Sequence, residues 1–204
     1  TAAEHGLSQT QPAIALPSDG GVVKLELGEP HYRRSEQSWA DAGAPTASVS
    51  LRWCAPTLTV SIEVPSSART FVPSDATNPY DNEPPDINGD GVQLYLRTDR
   101  GESGWMLVPD AATSTVRVRQ LEEWTAAQSL RARWRPTESG YELTVDLDTE
   151  TPPLALDVVV NEMPRGRVRR RGQLVLSGAR GEFVYLRGDR HDRWRLVPLR
   201  IRNA

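Results

Sequence analysis

Apolar and polar residues alternate along most of this chain. Val49, Leu51 and Trp53 are interleaved with Ser48, Ser50 and Arg52. Leu58, Val60, Ile62 and Val64 alternate with Thr59, Ser61 and Glu63. Tyr141, Leu143, Val145 and Leu147 alternate with Glu142, Thr144 and Asp146, and Leu154, Leu156, Val158 and Val160 continue the series. A period of two sends successive side chains to opposite faces of a β-strand. Weaker alternation predicts further strands at 22–28, 104–109, 115–119, 129–135, 173–177, 182–187 and 194–202. Proline or glycine falls in almost every gap, among them Pro56, Pro65, Gly101, Pro136, Gly140, Pro152 and Gly172. Short helices are expected only at 35–41 and 120–128. Many short strands separated by turn formers predict an all-β fold, an antiparallel β-sandwich of jelly-roll or immunoglobulin-like type. Residues 1–20 are poor in large apolar groups and read as a linker or flexible arm. Residues 21–204 then form a single sandwich domain.

Composition narrows the function classes. The chain has 204 residues, 38% of them hydrophobic, enough for one sizeable core. Its net charge of -3 gives no global attraction to nucleic acid. The first half is acidic and the second basic, and nearly all the basic residues are arginine, the better planar donor to carboxylate and sulfate. No apolar run approaches membrane-spanning length. Cys54 is the single cysteine, so no intrachain disulfide forms; following Trp53, it reads as a small buried residue. His5, His31 and His191 show no metal-ligand spacing, and no Gly-x-Ser-x-Gly elbow is present. No catalytic residue is assigned.

The densest chemistry lies between Asn78 and Leu96. Asp86, Asn88 and Asp90 offer oxygen ligands at alternate positions, and Gly89 and Gly91 let the backbone turn. The spacing matches the start of an EF-hand loop. Position twelve is Arg97 rather than glutamate, however, and a strand follows rather than a helix, so an EF-hand is rejected. Two readings remain: a calcium site at Asp86, Asn88 and Asp90, or an Asx-rich turn. In the following strand, Val92, Leu94 and Leu96 face one way and Gln93 and Tyr95 the other.

Taken together, these segments resemble family 9 carbohydrate-binding modules. The likeness is carried by His31–Glu36, by the paired strands Ala47–Trp53 and Leu58–Val64, and by Asn78-Pro-Tyr80 followed by Gly89–Leu96. Gly140–Val145, Leu156–Glu162 and the terminal Arg195–Arg202 strand complete it. The resemblance implies a β-sandwich that binds poly- or oligosaccharide without cleaving it, usually with structural calcium. It also implies a partner catalytic domain active on polysaccharide, and an extracellular or periplasmic location. Tyr80 takes the first aromatic position and Gln93 an adjacent polar one. Arg170 or Arg171 lies near a basic position, and Tyr185 and Trp194 are candidates for the second aromatic. Asn161 to Arg190 also resembles accessory domains of heparinase II/III-type lyases. The alternative function is accordingly a structural accessory domain that packs on a catalytic domain and has no sugar affinity.

Each of these residues also has a plainer reading. Trp53 and Trp134 follow inward parity and read as core. Trp39, Trp105, Trp124 and Trp194 sit near strand ends, where partial burial is the commoner fate of a tryptophan. Five arginines between Arg165 and Arg171 would recognise uronate or sulfate groups, or would simply pair with Asp157, Glu162 or Glu182.

Overall fold

In a computed structural model of the chain, the alternation is realised as two packed sheets. The structure describes residues 12–66, 69–80, 82–162, 172–179, 181–184 and 190–203. The smaller sheet contains β2 (Val22–Leu27), β4 (Ala47–Cys54), β5 (Thr57–Val64), β9 (Leu130–Pro136) and β10 (Tyr141–Asp148), in the order β2-β4-β5-β10-β9. The larger contains β1 (Ile14–Pro17), β3 (Tyr32–Arg33), β6 (Gly91–Thr98), β7 (Gly101–Asp110), β8 (Thr115–Thr125), β11 (Ala155–Glu162), β12 (Gly172–Val175) and β13 (Val197–Arg202). Its main path is β1-β13-β11-β6-β7-β8, and β12 joins β11 to β3. Except for β1 against β13, every pairing between these strands is antiparallel. The all-β sandwich expected from the sequence is the observed fold.

The main core lies between the sheets. Val49, Leu51 and Trp53 of β4 and Leu58, Val60 and Ile62 of β5 meet Val92, Leu94 and Leu96 of β6 and Leu156, Val158 and Val160 of β11. The opposite face of the large sheet is covered as well. Tyr95, Met106, Val159 and Val175 point outward from it and pack with Leu121, Trp124, Ala179 and Leu196 in a second apolar cluster. The 3-10 turn Pro85–Asn88 and the chain around Gly178 and His191–Leu196 approach this face.

Four local expectations differ. Ile14–Pro17, within the stretch read as an arm, pairs in parallel with β13 at Ile14–Leu199 through Pro17–Arg202. No helix forms at 120–128, because Gln120–Thr125 continues β8 through a bulge against β7. Residues 35–41 contain turns rather than a helix. Cys54 is exposed, since with Trp53 pointing inward the next residue must face out. Of the strand expected at 182–187, the described part contributes a single bridge between Phe183 and Arg34.

Candidate functional site

A cleft of about 610 Å³ opens beside the covered face of the large sheet. Three pieces of chain wall it: Glu83–Pro84, the end of β8 from Arg119 to Trp124, and Arg190–Trp194. The β8 wall is built by a bulge. Ser103 pairs with Thr125 but Trp105 pairs with Gln120, so Leu121–Trp124 have extra length against β7. Glu123 holds a left-handed φ of 68°, unusual for a residue with a side chain. Gly104 lies opposite. A Cβ there would stand 2.9 Å from Tyr95 Cδ1 and 3.0 Å from Trp124 Cβ, so the glycine lets Trp124 fold over the sheet. Trp124 meets Tyr95 edge-on at 4.7 Å.

His191 is fixed on the same platform. Its ring stacks on Tyr95 at 4.1 Å and 16°. Its Nε2 lies 2.8 Å from Asp157 Oδ2, with both side chains buried. Asp157 also accepts the Ser177 hydroxyl at 2.6 Å and the backbone N–H groups of Val158 and Ser177 at 2.9 and 3.0 Å. Those donors hold the carboxylate in one orientation, and it in turn orients the imidazole. The adjoining segment presents Trp194, which is 62% exposed. The Arg195 guanidinium sits 4.8 Å from the Trp194 ring centroid and covers one face of the indole. Arg195 is itself held by the carbonyl of Gly178 at 3.0 Å and by Glu182.

The chain matches no protein-family model and no curated protein. Its structure does have a solved counterpart. The fold resembles that of family 9 carbohydrate-binding modules. One similar structure is a carbohydrate binding module family 9 from Caldicellulosiruptor kristjanssonii in complex with cellotriose. It matches with a TM-score of 0.59 and 12% sequence identity, over 94% of each chain.

The family 9-like expectations for individual residues fare differently. Tyr80 is half exposed in the loop that leads to the Glu83–Pro84 wall, though it is not itself a wall residue. Asn78 ties this loop together: its side chain accepts the Tyr80 N–H at 3.1 Å and donates to the Glu83 carbonyl at 3.0 Å. Among the described residues, Trp194 is the expected aromatic that stands exposed at the cleft. Tyr185, Arg170 and Arg171 lie outside the described residues.

Gln93 is corrected from an exposed sugar contact to a buried structural amide. Its Oε1 accepts from Asn161 at 3.0 Å and from Gln173 at 3.2 Å, while its Nε2 donates to the Tyr95 hydroxyl at 2.6 Å. Gln173 also donates to Asn161 Oδ1 at 2.8 Å and accepts from Arg33 at 2.9 Å. The network lies on the outward face of the large sheet, and the second apolar cluster with its covering chain seals it. Alternation assigned Gln93 to the correct face but carried no sign that this face is covered.

Two of the three residues expected to hold calcium, Asp86 and Asp90, are engaged by protein groups. Both Asp86 oxygens are taken by Arg119, at 2.9 Å from Nε and 2.7 Å from Nη2. Asp90 is buried and accepts the Thr70 N–H at 2.5 Å. No group of three or more His, Cys, Asp or Glu residues among the described residues is arranged to hold a metal. At Asp86 the Arg119 guanidinium supplies the neighbouring positive charge. Sequence reading missed Arg119, His191 and Asp157, because each is brought to the site by a pairing or a loop closure distant in the chain.

Proposed function

We propose that this domain binds carbohydrate without cleaving it, in the cleft beside Trp194. The observation that carries the reading is a tryptophan exposed at the mouth of a polar cleft with one ring face already backed by arginine. The other face is free to take the apolar C–H face of a sugar ring, and Arg195 keeps the indole from collapsing onto the protein. The likeness to a sandwich solved in complex with cellotriose supports this reading. The mixed carboxylates and guanidinia of the walls offer hydrogen-bond partners for ring hydroxyls. In this role the domain would hold a polysaccharide-active catalytic partner against its substrate.

Calorimetric titration with cellotriose and a panel of soluble oligosaccharides tests the reading. Trp194→Ala should weaken binding by about 1–3 kcal/mol, as truncating an aromatic anchor does, with an unchanged melting temperature. Unchanged affinity in the variant, or no binding to any glycan in the panel, would refute it.

A further inference from the structure

The cleft charges also bear on the kind of sugar, provided the cleft is the sugar site. Some of those charges are committed. Arg119 pairs with Asp86, and Arg193 pairs with Glu102 at 3.2 Å and donates to the Glu123 carbonyl. Asp192 faces Arg195 at 3.9 Å. Glu122 and Glu123 are different: both are exposed, and neither carboxylate has a hydrogen bond or ion pair among the described residues. Arg190 is the one wall arginine in the same condition. Two uncommitted carboxylates therefore share the cleft with one uncommitted guanidinium.

Adjacent residues on a regular strand point to opposite faces. Here both glutamates line the cleft, because the bulge and the left-handed backbone at Glu123 break the alternation. An L-residue keeps that conformation only where its surroundings hold it, and Arg193 does so through the Glu123 carbonyl. The result is a pair of neighbouring carboxylates lining the same cleft as Trp194.

The geometry points to a glycan bearing protonated amines, of the 2-amino-2-deoxy sugar class, as the preferred ligand of this cleft. The ring stacks on Trp194 and an ammonium group is met by Glu122 and Glu123. An N-acetylated sugar keeps the ring but loses the charge. A uronate brings a carboxylate against two others and is disfavoured.

The test compares four trimers by calorimetric titration, below the pKa of the sugar amine: glucosamine trimer, its N-acetylated form, cellotriose and galacturonate trimer. Glucosamine trimer should bind on the order of tenfold more tightly than cellotriose, as two exposed charge pairs supply. That advantage should fade as sodium chloride is raised. It should also vanish in E122Q/E123Q, whose exposed side chains leave the melting curve unchanged. Equal or tighter binding of cellotriose, the acetylated trimer or galacturonate overturns the assignment of charge while leaving the carbohydrate reading intact. So does an amine preference that survives in E122Q/E123Q. Absence of binding by all four trimers overturns both.

Discussion

Replacing Asp86 with alanine separates an arginine clamp from a metal site. Asp86 receives two charge-assisted hydrogen bonds from Arg119 and is largely buried. Hydrogen bonds to charged groups contribute roughly 1.5–3 kcal/mol each when buried. The Arg119 side chain is 33% exposed, so water recovers part of that when its partner is removed. The low end applies, and the Asp86–Arg119 coupling energy should be about 1–3 kcal/mol. In a chain of this size each kcal/mol moves the melting temperature by roughly 2–4 °C, so Asp86→Ala should lower it by about 2–12 °C. The assay is a double-mutant cycle of Asp86→Ala, Arg119→Ala and the pair, followed by thermal and urea unfolding. Each protein is melted with and without excess chelator. The double variant should be little less stable than either single one, and chelator should change none of the curves. Additive losses would refute the clamp. So would a wild-type melting temperature that falls in chelator and is restored by calcium.

Two further outcomes follow from buried polar groups. Gln93→Leu should cost about 1–3 kcal/mol of stability, because it strands the amides of Asn161 and Gln173. Cellotriose affinity should be unchanged; urea unfolding beside calorimetry checks this, and a stable variant with lost binding would return Gln93 to the ligand. Burial, reinforced by Asp90, pushes the Glu162 carboxyl up to about 8 from an ordinary value of 4.5. Across that window the folded protein keeps a proton that the unfolded chain has released, so this group's stabilisation is full below 4.5 and is lost as pH rises through 8. Melting temperatures measured across this range should decline, and Glu162→Gln should flatten the decline; equal slopes in both proteins would refute the assignment.

How much of this was legible depended on which side of the large sheet a residue occupies. Alternation found β4, β5 and β10 because these strands have one buried and one wetter face, so each residue reports its own environment. It also assigned Val92 and Leu94 correctly. It failed for Gln93, whose polarity signals water on a surface strand but here serves an internal amide network. It failed at Glu122–Trp124, where a bulge mimics helical spacing. The Asp86-x-Asn88-x-Asp90 pattern reads as a row of oxygen ligands. Its actual counter-charge, Arg119, is 33 residues distant, and local spacing carries no trace of it. Trp194 was legible as an aromatic without a core position, but its exposure follows from the Arg195–Glu182 support, which only the folded chain assembles.

The second apolar layer gives the two sheets different histories. In β4, buried positions alternate with positions that are open or half-open, so every other residue is free to drift and the strand still packs. In β6 and β11 nearly every residue is enclosed, whichever way it points. Substitution there must satisfy two interiors at once, one of them polar at Gln93 and Asn161. Lineages of this domain should therefore diversify on the small sheet and in the cleft walls, while β6 and β11 change slowly and in concert with the chain that covers them. The segment that shapes the cleft is also a lid on a core, so new specificities must arise without lifting it.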